Sequence, residues 1–465
     1  MLKTFNYGGV HPAEKKLTAG SSIERIGPPE RVFISTAQHI GKPANITVSP
    51  GDKVKTGQLL ASASDFISAN VHSSVSGTVT KVSANYDISG YPQQGVHIDV
   101  EGDEWESSII RDDELIEEFK TNREEIREKI KNAGIIGLGG GAFPTHVKVD
   151  PPKGKYPEIL IINGVECEPY LTADHRLMLE HGPEIVVGTR ILMCALDVGK
   201  AYIGIEANKP DAIEHMRELV ADDHSIEVVP LKVKYPQGGE KLLIKAVTGR
   251  EMPINGLPVD VGVVVNNTGT AFAVYEAVQK NKPLFERVIT VTGESLPKPS
   301  NFLVRMGTPV EDLVSAAGGL PENTGKIICG GPMMGKAINS PSIPVNKSTS
   351  GILVVPEDKS LRNEEEPCIK CGRCVEACCM GLEPYLLMFH SEKHLWDKAE
   401  KNHIMNCIEC GSCCYICPSK RPLLDYIRLG KKKVREVSGG RTTLVKRKGF
   451  RLPGIFLSLR AKKDD

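Results

Sequence analysis

The 465-residue sequence predicts a multidomain chain, with a β-rich opening, an α/β core, a small mixed β unit and a cysteine-rich helical end. Three observations predict this. The length implies about three domains at roughly 100–200 residues each. Over about residues 120–285, continuous apolar runs alternate with helical stretches, the pattern of an α/β layer. Ten of the 13 cysteines fall between Cys368 and Cys417, which signals metal binding.

Lysine plus arginine equals aspartate plus glutamate, 58 each, so a globally basic nucleic-acid binder is excluded. The charge is uneven, with 13 basic and 3 acidic residues from Arg428 to Asp465 and an acidic body before them. No run of about 18 apolar residues exists, so no spanning helix is expected. The opening lacks an apolar signal core, and the chain is expected in the cytosol or on the cytosolic face of a membrane. In a reducing compartment the cysteines, including Cys167, Cys194 and Cys329, are not expected to pair as disulfides.

Residues 1–112 read as short strands separated by turn signals such as Ser49-Pro50-Gly51-Asp52. The strings SPGDKVKTGQLL (49–60) and VHSSVSGTVTKV (71–82) resemble the barrel-sandwich fold of lipoyl and biotinyl carriers. No lysine lies between Lys55 and Lys81, so that hairpin has no attachment point and the domain reads as structural.

Over 113–285, apolar spacing at Leu115, Ile116, Phe119, Ile126 and Ile130 predicts a helix across 111–132. Buried strands are expected at 158–164, 200–208 and 261–267. Helices are expected at about 181–197, 210–222, 239–248 and 270–281. Residues 286–345 return to β character and resemble the soluble-ligand-binding β-grasp module (SLBB-like). Residues 346–367 read as a linker, 368–430 as the cysteine domain and 431–465 as a basic tail.

The cysteines form two runs, Cys368-x-x-Cys371-x-x-Cys374-x-x-x-Cys378 and Cys407-x-x-Cys410-x-x-Cys413-x-x-x-Cys417-Pro418. This is the spacing of proteins with two [4Fe–4S] clusters. The fourth cysteine of each run lies one helical turn beyond the third and points away, so it serves the other cluster. One cluster is assigned to Cys368, Cys371, Cys374 and Cys417, the other to Cys407, Cys410, Cys413 and Cys378. Two zinc sites are the alternative, but zinc would not need the third and fourth cysteines of each run. Residues 384–404 read as a helix between the runs, so the array resembles a helical two-cluster ferredoxin. Cys379 and Cys414 are extra.

A glycine loop, GIIGLGGGAFPTHVK (134–148), lets backbone amides approach a phosphate or flat ring. It is not a simple dinucleotide fingerprint, because a charged helix precedes it and Pro144 follows. NGVECEP (163–169), YPQGGEK (235–241) and VNNTGT (265–270) complete four patches whose order resembles the flavoprotein subunit of respiratory complex I. That resemblance implies FMN and NADH in one cleft. Gly137, Gly139, Gly140 and Lys148 would hold FMN, Asn163 and Glu166 would contact the flavin or its ribityl chain, and Asn266 and Asn267 its phosphate end. Phe143 would stack on nicotinamide or adenine, and Glu168 and Glu240 would bond NADH. The chain departs from the family pattern at Leu138 (arginine), Ala142 (glycine), Val165 (aspartate) and Gly239 (glutamate).

With the opening FNYGGVHPAEKK (5–16), this order of parts resembles the RnfC/RsxC family, peripheral subunits of Rnf ion-translocating ferredoxin:NAD⁺ oxidoreductases. The resemblance covers about residues 5–430. It implies an electron-transfer subunit on the cytoplasmic face of the cell membrane, passing electrons between NAD(H), FMN and two [4Fe–4S] clusters linked to ferredoxin through other subunits. Ion transport would belong to the membrane partners. Two other readings stay open: an iron–sulfur relay or scaffold with a vestigial nucleotide cleft, and an electron donor to a redox-sensing regulator. In the tail, Leu452, Ile455, Phe456 and Leu459 at helical spacing among basic residues suggest contact with anionic lipid or an acidic partner. Lone histidines such as His72, His146 and His175 read as solvated or hydrogen-bonded rather than as ligands.

Overall fold

The computed structural model describes residues 2–362 and 364–448. The tail residues read as an anchor, 452–459, lie outside them.

Alternating apolar residues in the opening domain build two small sheets around one core. One sheet runs Arg31–Ser35, Pro92–Val100, Gly77–Tyr86, Lys53–Val54, and the other runs Asn45–Ile46, Leu59–Ser62, Val71–His72. Val32, Ile34, Leu60, Val79 and Ile98 fill the space between them. The lysine-free hairpin between Leu59–Ser62 and Val71–His72 lies against the core. Beside it, the amide of Ile40 donates to the carbonyl of Ala142 in the glycine loop at 3.0 Å.

The core sheet is fully parallel, in the order Ile226–Leu231, Lys200–Glu206, Ile159–Gly164, Val263–Asn267. Both faces are apolar because helices cover both. Leu160 and Ile162 pack toward the Gly182–Leu196 and Thr268–Gln279 helices, while Ile161 packs toward Glu240–Thr248. The edge strand Ile226–Leu231 was not among the expected strands, because Pro230 interrupts its apolar run.

The helix expected over 111–132 forms only at Arg123–Asn132. Asn122 starts it with a reciprocal capping box to Glu125. Upstream, side chains of the neighbouring helix take the backbone groups instead. The Tyr275 hydroxyl accepts from Ile116 N at 3.1 Å, and the Gln279 amide donates to the Ile116 carbonyl at 2.7 Å.

The β-grasp sheet is larger than its segment suggested. Its order is Ile23–Arg25, Ser300–Arg305, Glu286–Thr292, Gly351–Pro356, Thr324–Cys329, Lys336–Ala337. Gly351–Pro356 falls within the stretch read as a linker (346–367), yet it is a buried inner strand pairing with two neighbours. Ile23–Arg25 arrives from the opening segment.

In the cysteine region, the helix expected over 384–404 is two, Pro384–Glu392 and Trp396–Lys401, broken where His394 takes φ +56°. The stretch from 431, read as tail, continues the Leu423–Lys448 helix. Val434 is buried in the local core, and the Lys431 ammonium donates to the Cys407 carbonyl at 2.6 Å.

Lys347 ties three parts together. It precedes the inner β-grasp strand, and its ammonium donates to the carbonyls of Asn70 and Gly134, both at 2.8 Å. Burial pushes its pKa down to about 7. The folded chain therefore binds fewer protons here than the unfolded chain between about pH 7 and 10, and this group makes stability rise with pH across that window. Lys347→Met is expected to cost about 2 kcal/mol at pH 8, by stranding two buried carbonyls, and to flatten that rise. Denaturation midpoints measured at several pH values check both effects.

Candidate functional site

The core strands run 3-2-1-4 in sequence order, so the order reverses between Ile159–Gly164 and Val263–Asn267. Such a reversal opens a crevice at the carboxyl ends of the strands. Asn163 ends the first of these strands and Asn266 and Asn267 end the other, with Asn267 paired beside Asn163. Asn267 caps the following helix by accepting from Gly269 N at 2.9 Å, and its amide donates to Asp174 Oδ2 at 2.6 Å. The Asn163 amide donates to the Gly238 carbonyl at 2.9 Å.

The glycine loop closes one side of the crevice. Gly137 N donates to the Phe143 carbonyl at 2.8 Å, and Leu138 N to Thr270 Oγ1 at 2.9 Å. A Cβ on Gly139 would stand 3.2 Å from Asn267 Cβ, whereas Gly140 and Gly141 border open space. The family's third glycine is Ala142, which still adopts φ +46°. The family's arginine is the buried Leu138, and a cation returns from elsewhere. The buried Arg287 guanidinium donates to the Leu138 carbonyl at 3.1 Å.

Lys148 and Glu240 meet at 3.2 Å, and the lysine also donates to the Val265 carbonyl at 2.9 Å. Glu166, at φ +47°, caps the Ala173–Glu180 helix through Asp174 N (2.8 Å) and His175 N (3.2 Å). Glu168 turns to the β-grasp module, accepting from Met333 N (3.0 Å) and Met334 N (2.9 Å), and burial raises its carboxyl to about 7. The contacts thus link Gly137 to Phe143, Gly139 to Asn267, Asn267 to Asn163 and Lys148 to Glu240, with Asn266 at the same strand end, while both Glu166 and Glu168 hold backbone amides.

The residues fit a flat, phosphate-bearing cofactor. Asn266 is buried, yet both its amide oxygen and nitrogen lack a partner, which is costly unless a ligand supplies one. In the glycine loop, Gly139 stands against Asn267 and Gly140 and Gly141 are open.

Sequence reasoning missed the supports beneath the site. Lys16 donates to the carbonyls of Glu166 and Glu168 (2.9 Å each) and Leu171 (2.6 Å). Lys209, fully buried, donates to the Val165 carbonyl at 2.8 Å. Lys16 lies in the quoted opening motif and Asp174 in the stretch after NGVECEP, but neither shows its distant partner in the sequence.

The two cysteine runs fold alike. Lys370 and Glu409 take φ +55° and +59°, and Gly372 and Gly411 follow at +77° and +78°. Cys378, Cys379, Cys407, Cys410 and Cys413 line one cavity, walled by Met380, Leu382 and Ile427. Four of these five make up the expected crossed set, three cysteines from one run and one from the other, and Cys379 is the fifth. In the first run, burial and the nearby Cys417 hold the Cys374 thiol above its usual range. Cys368 and Cys371 are exposed. Among the described residues, no three His, Cys, Asp or Glu side chains converge where a single ion would sit. The crossed set fits a cluster whose iron corners are spread over a cube.

The cavity abuts the crevice. The Tyr235 hydroxyl donates to the Cys410 carbonyl at 2.8 Å, and Val10 and Tyr235 exchange backbone bonds. Gly9 N donates to the Ala377 carbonyl at 3.0 Å, and a Cβ on Gly8 would reach 2.5 Å from Cys379 N. A Cβ on Gly238 would lie 3.5 Å from Asn163 Oδ1, and one on Gly239 3.8 Å from Ile408 Cδ1. The YPQGGEK turn therefore separates the asparagine pair from the cysteine cavity by one loop thickness, and the opening GGVHP segment clasps both.

These features define a cofactor-binding α/β core joined to a barrel-sandwich domain, a β-grasp module and a cysteine-rich helical domain. Three family models match accordingly: the RnfC barrel sandwich hybrid domain over residues 3–103, the Nuo51 FMN-binding domain over 130–276 and the SLBB domain over 288–337. The chain is 45% identical over 437 residues to a subunit of the proton-translocating ferredoxin:NAD(+) oxidoreductase complex of Clostridium ljungdahlii, covering 92% of this chain and 93% of that one. It is 41% identical to the corresponding subunit of the Na(+)-translocating ferredoxin:NAD(+) oxidoreductase complex of Acetobacterium woodii (92% and 96% covered). It is 40% identical to that of the ion-translocating oxidoreductase complex of Rhodobacter capsulatus (94% and 84%). Among solved structures, an NAD+-reducing [NiFe]-hydrogenase aligns with TM-score 0.48 at 17% identity, over 74% of this chain and 69% of that one. The chain belongs to the RnfC family, whose members are subunits of ion-translocating ferredoxin:NAD(+) oxidoreductase complexes. It is an oxidoreductase subunit with an FMN-type domain and works beside other subunits of such a complex. Among the described residues, no helix is long and apolar enough to cross a membrane.

Proposed function

We propose that this chain passes electrons between NAD(H), bound with FMN in the strand-end crevice, and two [4Fe–4S] clusters linked through other subunits to ferredoxin, on the cytoplasmic face of the membrane. The observation that carries the reading is the buried, unpartnered amide of Asn266 at the topological switch point, beside an open glycine loop. Bound there, FMN would exchange a hydride's electron pair for single electrons. The chain's own residues bind and orient. Gly137, Gly139 and Gly140 admit the ring and phosphate, Lys148 offers a cation, and Asn163, Asn266 and Asn267 offer amides. Glu240, already on Lys148, is placed for a nucleotide hydroxyl, and Phe143 for ring stacking.

Cys378, Cys407, Cys410 and Cys413 would hold one cluster against the core. Cys368, Cys371, Cys374 and Cys417 would hold the other, with Cys368 and Cys371 facing outward. The layout runs crevice, inner thiol set, outer thiol set, so the outer set is placed to meet a partner. The crevice's fit to a cofactor favours this reading over a relay with a vestigial cleft.

Asn267→Ala removes the helix cap, at about 1 kcal/mol, together with an amide of the crevice. It is expected to weaken FMN binding by about tenfold or more, since each lost hydrogen bond in a buried site costs about 1–3 kcal/mol. Equilibrium binding of FMN to the anaerobically reconstituted protein checks this. One tightly held FMN with about eight iron atoms supports the reading, and eight iron atoms with no FMN would reduce the chain to a relay.

A further inference from the structure

The opening domain reaches the glycine loop through two loops of its own, 39–43 and 63–69. The Ile40 amide donates to the Ala142 carbonyl at 3.0 Å, and the His146 ring meets the Phe66 carbonyl. The segment braced in this way, 142–146, holds Phe143 and lies between two crevice contacts. Upstream of it, a Cβ on Gly139 would stand 3.2 Å from Asn267 Cβ. Downstream, Lys148 meets Glu240 at 3.2 Å and the Val265 carbonyl at 2.9 Å. The loop pair therefore adjoins the crevice, next to a stretch of backbone at Gly140 and Gly141 that borders open space.

These two loops present apolar side chains to solvent. Phe66 is 64% exposed and Ile40 54%, and Ile67 follows Phe66. The loops that carry them are tied down. Ser64 Oγ donates to the Pro43 carbonyl at 2.6 Å, Ser64 N to Ser68 Oγ at 3.1 Å and Lys42 N to the Ile67 carbonyl at 3.1 Å. The Ala69 amide donates to His39 Nε2 at 3.1 Å. Gly41, at φ +108°, passes so close that a Cβ would stand 1.9 Å from the Ile67 carbonyl oxygen. The hairpin that carrier domains use for a prosthetic lysine here holds a phenyl ring outward on a fixed support. Apolar surface held ready in this way is what a binding site presents, because little ordering remains to be done when a ligand arrives.

We propose that Phe66, with Ile40, receives the adenine ring of NAD(H) at the outer edge of the crevice. This inference rests on the proposed NAD(H) site. The nicotinamide has to lie against the flavin for hydride transfer, so it takes the inner place. Adenine is joined to it through two riboses and a pyrophosphate, so it lies outward, where the glycine loop opens and Phe66 stands. Glycines offer a base no face to stack on, and Phe66 supplies one. The patch fits a single flat base rather than a protein surface: it is three side chains wide and adjoins bare backbone at Gly140 and Gly141. Asp65, the acid next to Phe66, is paired with Lys42 at 2.5 Å, so its charge is compensated before a pyrophosphate approaches. Phe66 binds the far end of the nucleotide and takes no part in the hydride step.

The test uses the full chain carrying FMN and iron. Phe66→Ala is expected to raise the NADH concentration needed for half-maximal flavin bleaching about tenfold, the usual effect of losing one base-stacking aromatic, with the maximal rate unchanged. Reduced nicotinamide mononucleotide, which lacks the adenine half, should bleach the wild type and the variant alike, and FMN affinity should stay the same. Phe66→Trp should keep the wild-type NADH affinity, and ADP-ribose should quench the indole emission it adds. Unchanged NADH affinity in Phe66→Ala overturns the proposal. So does equal weakening of both reductants, or a loss of FMN affinity, since Phe66 would then support the loop and not the base. If NADH affinity is unchanged and the variant instead loosens its hold on other subunits of the complex, the patch is a protein interface and the proposal falls. A wild-type chain that takes FMN but neither NADH nor ADP-ribose rejects the nucleotide site and this inference together, whereas NADH binding that ignores Phe66 rejects this inference alone.

Discussion

Cys378→Ala is expected to halve the iron of the reconstituted protein, from about eight atoms per chain to about four, and to abolish electron delivery from NADH to one-electron acceptors. Cys378 follows the first run, yet it lines the cavity with Cys407, Cys410 and Cys413 of the second. That cavity lies one loop from the crevice, through Tyr235 and Gly239. Changes merely around a metal site cost about 10–100-fold, and losing a thiolate ligand should exceed this. NADH should still bleach bound FMN, because no crevice residue has changed. Cys417→Ala should also remove about four iron atoms but leave the inner set intact. Iron analysis with stopped-flow absorbance separates the two variants. Equal loss of both clusters in Cys378→Ala would argue against the crossed assignment.

Lys209→Met is expected to destabilise the core by about 3–5 kcal/mol, the cost of removing one partner from a buried ion pair. Lys209 and Glu206 are 1% and 2% exposed, with their charges 4.0 Å apart. The lysine also holds the Val165 carbonyl, which sits between Asn163 and Glu166, so FMN binding should weaken as well. The deficit should depend on pH. Burial raises the Glu206 carboxyl to about 7, and without Lys209 it rises further, so the lone group is neutral in mild acid and charged in mild base. A folded pKa above the unfolded value stabilises at low pH, and that contribution fades as pH rises through the folded pKa. The variant's loss should therefore be smaller at pH 6 than at pH 8. Lys209→Met combined with Glu206→Leu should recover part of the loss at pH 8, as read by denaturation midpoints.

What the sequence made legible was local. The likeness of the two cysteine runs could be read because it lies in short spacings, and the structure folds both into the same pair of left-handed turns. Three of the four core strands, and the helices Gly182–Leu196, Pro210–Leu219, Glu240–Thr248 and Thr268–Gln279, followed from apolar runs. Long-range choices were not legible. Leu115 and Phe119 fit a helical period, but Tyr275 and Gln279 claim the backbone around them. Gly351–Pro356 sits after a loop and before a charged stretch, and only its neighbours in the sheet make it an inner strand. In the site, Glu168 matched a motif, while the amides of Met333 and Met334, more than 160 residues away, decide where it points. Arg287 under Leu138 and Lys16 under Glu166 are unreadable for the same reason.

The central claim is that the crevice and the cysteine array form one electron path. The most direct measurement is anaerobic addition of NADH to the full chain carrying FMN and iron, followed by optical and EPR spectroscopy on the same samples. The account predicts that the flavin absorbance bleaches and reduced-cluster signals then rise, with Cys378→Ala showing the first event without electron delivery beyond it. Bleaching with no cluster signal in the wild-type chain, or cluster reduction by NADH in a chain without flavin, would contradict it.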